Sequence, residues 1–204
     1  MTRNRRYKKR PSMPGKRWQD HYTRRAQREN YPARSVFKLR EIQQRHRILK
    51  EGDAVLDLGC SPGSWLLYAA RCVGTSGAVL GIDRKPVSVE LPAHVEAVVG
   101  DVFEPPAAVL QRRFHALISD MAPDTTGSAV VDVARSEALA EMALHLAGQV
   151  LHPGGSFVCK VFQGQGFQKL VQSVRTAFDA VAVFKPKSSR KASRELYIIG
   201  KGKR

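Results

Sequence analysis

The sequence predicts an α/β protein with a largely parallel sheet, on three observations. Apolar, strand-like runs alternate with segments of helical periodicity from Ala54 onward, the order that parallel strands with right-handed crossovers require. A short strand, Ala54 to Leu58, runs into the glycine turn of Asp57-Leu58-Gly59-Cys60-Ser61-Pro62-Gly63-Ser64-Trp65 and then into a helix, Trp65 to Val73. Four successive strands finish on an acid: Asp57, Asp83, Asp101 and Asp120. In such sheets ligands bind outside the carboxyl ends of the strands, so four acids in this pattern read as the rim of a ligand site. At 204 residues and 43% hydrophobic content, one domain with its own core is expected.

Before the glycine turn, Ser35 to Ile48 reads as a helix with Val36, Leu39 and Ile42 on one face. Lys38 lies beside that stripe, where pattern alone leaves it a solvated lysine. Gly77 to Ile82 is a second strand ending at Asp83, Val95 to Val99 a third, and Phe114 to Ser119 a fourth ending at Asp120. Val131 to Leu151 reads as a long helix with Ala134, Ala138, Met142 and Leu146 on its face. His152-Pro153-Gly154-Gly155 closes it, because Gly stops a helix and Pro cannot continue one. Ser156 to Phe162 is a fifth strand, Gly166 to Ala177 a further helix, and Val181 to Phe184 with Glu195 to Ile199 a closing strand pair. Lys160 and Glu195 are charges set inside apolar runs, which is expensive unless they are paired or functional.

The formal charge of +16 is concentrated at the two ends. Residues 1–30 carry 11 Lys/Arg against Asp20 and Glu29, and residues 185–204 carry eight against Glu195; residues 31–184 hold 15 of each sign. A neutral body with two cationic ends points to a polyanionic partner, nucleic acid above all. The first 30 residues, poor in apolar side chains and rich in like charge, are expected to be flexible without that partner. Tyr7, Trp18 and Tyr22 lie among the cations, placed either to stack on bases or to anchor onto the body. No run of about 18 apolar residues spans a membrane, and Met1 to Arg10 lacks the apolar core of a secretory signal. Cys60, Cys72 and Cys159, an odd number without metal-ligand spacing, read as reduced thiols of a cytoplasmic protein with no metal site.

Three nucleotide-like ligands compete for the glycine turn. A phosphate-binding P-loop needs Gly-Lys-Ser/Thr, which Gly63-Ser64-Trp65 lacks, and a dinucleotide fingerprint needs glycines spaced G-x-G-x-x-G. Gly59 and Gly63 are four apart, and the carboxylate of Asp57 would repel a pyrophosphate. S-adenosylmethionine (SAM) fits better, because it is cationic and carries no phosphate. Gly59 and Gly63 would admit it to the backbone, with Asp57 close by and Trp65 packing on the pocket. Asp83, 20 residues beyond Gly63, would hold the ribose diol, and Asp101 the adenine amino group.

Five blocks in order resemble the FtsJ/RrmJ family, SAM-dependent ribose 2′-O-methyltransferases of large-subunit ribosomal RNA. They are Ser35-Val36-Phe37-Lys38-Leu39, the turn Asp57 to Trp65, Ser119-Asp120-Met121-Ala122-Pro123, Lys160-Val161-Phe162-Gln163-Gly164 and Ser193-Arg194-Glu195-Leu196-Tyr197. The resemblance implies a Rossmann-like methyltransferase sheet of seven mostly parallel strands, the last antiparallel, with helices on both faces. It also implies a catalytic tetrad of Lys38, Asp120, Lys160 and Glu195, with Asp120 bordering the cofactor as well. It departs from the family at Asp124, where bacterial members often have Asn.

On this reading residues 1–30 form a basic RNA-binding extension, and residues 31–204 a methyltransferase domain with a basic C-terminal end. The implied substrate is a uridine ribose in the A-loop of large-subunit rRNA, methylated within the assembled particle by a monomer that binds neither DNA nor membrane. The rivals are a ribose methyltransferase of tRNA anticodon loops and a non-catalytic RNA-binding assembly factor. Against the second stands the intact tetrad. In it Lys160 would either take the proton of the 2′-hydroxyl or steer that hydroxyl.

Overall fold

The computed structural model describes residues 14–190 and 192–204. Its element order is α1 (Pro14–Arg28), α2 (Val36–His46), β1 (Ala54–Leu58), α3 (Ser64–Val73), β2 (Ala78–Asp83), β3 (Val95–Val99), α4 (Ala107–Leu110), β4 (Phe114–Ser119), α5 (Ala129–Val150), β5 (Leu151–Phe162), α6 (Phe167–Ala177), β6 (Phe178–Phe184) and β7 (Glu195–Lys203). One seven-stranded sheet runs β3-β2-β1-β4-β5-β7-β6. Strand β7 is antiparallel to both β5 and β6, while the pairs from β3 across to β5 are parallel. The expected sheet, strand number and antiparallel strand are all present.

Alternate residues along each central strand feed opposite cores. Leu56, Leu58, Leu80, Leu117, Phe157 and Ile198 pack against α5 and α6. Val55, Val79, Ile118, Val158, Tyr197 and Ile199 pack against α2 and α3. Burial on both faces explains why the strands read as continuous apolar runs. The chain order reverses between β1 and β4, so the carboxyl ends of the strands diverge there and leave the crevice in which such sheets bind ligands.

Three expectations are corrected. Residues 14–28 are helical and residues 21–30 pack on the body, with Ala26 buried beside Tyr31, Val36 and Phe37 in a small separate core, while the expectation for residues 1–13 lies outside the described residues. Composition counted like charges, but the cations of this segment, Arg24, Arg25 and Arg28, lie exposed on its outside. Glu29 meanwhile ties it to α2 through Arg40 at 2.5 Å. Tyr7 and the side chain of Trp18 lie outside the described residues. Second, α5 buries Ser136, Ala140, Ala143, Leu146, Ala147 and Val150 rather than the Ala134/Ala138/Met142 stripe. In a helix so rich in alanine, nearly every face is small and apolar, so the pattern gives the buried side little direction. Third, β5 begins at Leu151, directly after α5. The Pro-Gly-Gly stretch lies inside it as an irregularity, with the register against β4 shifting between Phe114 and Ala116.

Candidate active site

Strand register assembles the site. Ser119 of β4 lies opposite Cys159 of β5, so the next residue, Asp120, falls beside Lys160. Lys160 in turn faces Tyr197 of β7, with Glu195 two residues away opposite Phe162. Because the side chains of a strand alternate between faces, Lys160, Asp120 and Tyr197 all project toward α2. Lys38 enters from the first turn of that helix.

The four charges are in contact. Lys160 Nζ lies 3.0 Å from Asp120 Oδ1, and Lys38 Nζ lies 3.0 Å from Glu195 Oε2 and 3.6 Å from Asp120 Oδ1. Lys160 Nζ also donates to the backbone carbonyl of Asp120. Lys160 and Glu195 are 6% and 9% exposed, so two cations and two anions form a buried cluster of zero net charge. A buried charge without a partner would be far costlier. Burial pushes the Asp120 carboxyl up, but the charges of Lys160 and Lys38 outweigh it and hold its pKa below the usual carboxylate range.

Sequence reasoning missed Tyr197. Its hydroxyl donates to Asp120 Oδ1 at 2.6 Å, and its ring stacks on Trp65 at 6.0 Å. Burial, with the charges of Asp120 and Glu195, pushes its phenol well above the ordinary range, so it stays a donor. The available signal was a tyrosine two residues from Glu195 in an apolar strand, since a buried tyrosine hydroxyl usually finds a polar partner.

Beside the cluster opens a cavity of about 660 Å³, lined among others by Gly59, Ser61, Asp83, Asp101, Asp120 and Met121. Four of the residues expected to hold a cofactor, Gly59, Asp83, Asp101 and Asp120, therefore border one space. Asp83 accepts the backbone N–H of Ser61 at 3.0 Å and of Lys85 at 2.8 Å, shaping the turn. A carboxylate has about four lone-pair sites, so two remain on Asp83 for a ligand diol. Asp101 likewise accepts the Phe103 N–H at 3.0 Å. Gly59 has φ +78, and a Cβ there would meet Met121 Cγ at 2.6 Å. Asp124, the departure from the family pattern, pairs with Arg84 across the rim at 3.5 Å.

Asp57, Gly63 and Trp65 are not among the residues lining this cavity. Asp57 is fully buried on the α3 side of β1, and neither of its oxygens has a hydrogen-bond partner among the described residues. Burial, then the charges of Asp120 and Asp83, push its carboxyl well above the usual range. Gly63 caps α3 with φ +113, and a Cβ there would strike Val89 at 2.7 Å. Trp65 donates from Nε1 to the Ser35 carbonyl at 2.9 Å, which fixes the start of α2 and hence Lys38. Sequence spacing found the turn; it did not separate residues facing the cavity from those bracing it.

The sheet order, the switch-point cavity and the acids around it define a Rossmann-like methyltransferase domain. A crystal structure of a ribosomal RNA methyltransferase from Plasmodium falciparum superposes with a TM-score of 0.74 at 26% identity, covering 85% of this chain and 98% of that one. The sequence model of FtsJ-like methyltransferases matches residues 31–203. Ribosomal RNA large subunit methyltransferase E of Desulforapulum autotrophicum is 52% identical over 190 residues, 92% of this chain and 94% of its own length. The protein of the same name from Desulfatibacillum aliphaticivorans is 50% identical over 190 residues, 92% of each chain. The chain belongs to the FtsJ-like methyltransferase family.

Proposed function

We propose that this protein transfers a methyl group from SAM to a ribose 2′-hydroxyl of large-subunit ribosomal RNA. The observation that carries the reading is the neutral cluster of Lys38, Asp120, Lys160 and Glu195 beside an acid-rimmed cavity. The cavity's fit to SAM rests on its donor set: four lining carboxylates, of which Asp124 is paired with Arg84 and Asp83, Asp101 and Asp120 are left for a cationic ligand with a diol, and a glycine turn whose backbone can be approached. Bound there, SAM supplies an electrophilic methyl carbon on a sulfonium. Asp83 would accept the ribose hydroxyls and Asp101 the adenine amino group. Asp120 joins the cavity to the cluster, since it belongs to both.

Lys160 directs the acceptor hydroxyl, and takes its proton only as the neutral amine, after giving up its own proton. Lys38 and Glu195 hold the far side of the cluster, and Asp120 and Tyr197 fix the amine. Proton loss belongs to the coupled cluster rather than to one residue. The remaining catalysis is alignment of the oxygen with the methyl carbon. The names of the 52% and 50% identical relatives support the large ribosomal subunit as substrate over tRNA, and the A-loop uridine is the position the family resemblance indicates. A monomer in the cytoplasm completes the reading.

The test is radiolabelled SAM with purified large subunits, tRNA and free rRNA, followed by mapping of the modified ribose. Lys160→Met keeps the packed stem and loses the amine; it is expected to abolish transfer while SAM binding by calorimetry persists. Lys160→Arg keeps the cation but cannot be deprotonated. Loss as complete as in Lys160→Met assigns proton acceptance, and retained turnover assigns steering. Near-normal turnover in Lys160→Met would sink the assignment.

A further inference from the structure

Away from the cofactor cavity, a groove of about 590 Å³ lies between α1, α2 and the loop joining β6 to β7. Two half-buried rings, Tyr22 and Phe184, line it among cations that include Arg45, Lys185 and Lys187, while Phe37, 3% exposed, forms its floor. Arg25 stands 4.9 Å from the Phe37 ring and Arg45 stands 5.9 Å from that of Phe184. Glu41, the one carboxylate among the lining residues, is already engaged: it accepts the backbone N–H of Lys187 at 2.6 Å and of Ser188 at 2.9 Å. Interleaved rings and cations form the surface that single-stranded nucleic acid uses, bases stacking while phosphates meet the positive charge.

A second observation stands at the groove's margin. Arg34, whose guanidinium lies 6.0 Å from the Tyr22 ring, donates from Nη2 to the Ser188 carbonyl at 3.2 Å. Its Nη1 and the hydroxyls of Ser188 and Ser189 are buried without a hydrogen-bond partner among the described residues. Those serines are 2% and 3% exposed. Native proteins pair nearly all such groups, so a cluster of orphans asks what would satisfy them. A phosphodiester oxygen accepts from a guanidinium and from hydroxyls alike.

The groove is also placed correctly. It follows α2, whose first turn carries Lys38; from there to Arg45 is seven residues, roughly 10 Å at 1.5 Å each.

We infer that this groove seats the RNA strand flanking the methylated ribose, stacking an unpaired base on its rings and passing a phosphate to Arg34, Ser188 and Ser189. The inference rests on the RNA methyltransferase reading above and adds the path of the substrate. Because the orphan atoms are covered in the free protein, the phosphate reaches them only by displacing the Glu41 carboxylate from the backbone N–H groups of Lys187 and Ser188, which then face the anion as well.

Two double variants test it, against an unmodified large-subunit RNA transcript. Removing hydroxyls that merely sit unpaired would leave stability equal or higher and RNA affinity unchanged. Ser188→Ala/Ser189→Ala is instead expected to melt no lower than wild type and bind RNA roughly fivefold more weakly. Arg45→Glu/Lys187→Glu should lose at least about tenfold in RNA affinity. Its log–log salt slope should become shallower by about 1.4, two single-strand phosphate contacts at about 0.7 each. SAM affinity should hold in both. Wild-type RNA binding by either variant, with wild-type methyl transfer intact, overturns the groove alone. Failure of the wild type to bind or methylate RNA overturns both readings. A polyglutamate peptide that occupies the groove while RNA does not would assign it to an acidic protein instead.

Discussion

Asp120 is the residue on which the site converges, because Lys160, Lys38 and Tyr197 all approach its Oδ1. The two lysines keep it ionised; Tyr197 adds a donor whose removal changes no charge. Tyr197→Phe therefore isolates orientation from electrostatics, and its ring keeps the packing on Trp65. A hydrogen bond to a charged group contributes about 1.5–3 kcal/mol. With that loss expressed in the transition state, kcat should fall roughly 10- to 100-fold while KM for SAM stays put. Steady-state kinetics with large subunits measures it, and an unchanged kcat would remove Tyr197 from the positioning network. Residue types were legible in the sequence where they were anomalous. Lysine and glutamate inside apolar strands, and acids repeating at strand ends, announced themselves. Lys38 did not announce itself by pattern, since a lysine on an amphipathic helix is ordinary until a second element supplies its partners. Asp57 shares the α2/α3 face with Asp120 but lies deeper, fully buried behind the residues that line the cavity, a difference of depth that spacing along the chain does not carry.

At the scale of elements, β1, β3 and β4 were readable to the residue because burial on both faces leaves an unmistakable apolar run, whereas β5, β6 and β7 extend beyond the expected Ser156, Val181 and Ile199. The facing of α2 was readable, Val36, Leu39 and Ile42 being buried as expected, that of alanine-rich α5 was not, and α1 was missed because its stability is tertiary. Its anchor is Glu29, which accepts from Arg40 at 2.5 Å and Arg25 at 2.7 Å. The Arg40 hydrogen bond, then that from Arg25, outweigh burial and lower the Glu29 pKa from 4.5 to about 2. A carboxyl whose folded pKa is depressed contributes stability that is present above its unfolded value and lost as pH falls through the folded one. Docking of α1 on α2 should therefore weaken between pH 4.5 and about 2. Amide hydrogen exchange over residues 22–31 is the readout. Glu29→Gln should lower protection there at pH 7 and abolish its dependence on pH across that window, with SAM binding unaltered. Equal protection in variant and wild type would mean that the apolar contact of Ala26 and Tyr31, not the ion pair, holds the helix.

Across the whole molecule, charge divides the labour. Residues 31–184 carry equal numbers of both signs and supply three of the four clustered charges, Lys38, Asp120 and Lys160, while Glu195 comes from β7. The excess lies at the ends, and α1 brings part of the N-terminal share onto the face that carries α2 and the β6–β7 loop. That placement changes which truncation is informative. Removing residues 1–30 would delete Ala26, which is 1% exposed in the core it shares with Tyr31 and Phe37, so lost stability would be confounded with lost binding. Residues 1–13 precede α1 and carry six cations, Arg3, Arg5, Arg6, Lys8, Lys9 and Arg10, with no acid. Deleting them should leave the melting temperature and SAM affinity close to wild type while RNA affinity falls. If all six cations contact single-stranded RNA, the log–log salt slope becomes shallower by up to about 4, at about 0.7 per phosphate. A smaller change counts the contacts actually made. RNA affinity that is equal with and without the segment at every salt concentration would show that the polyanion is held by the body alone.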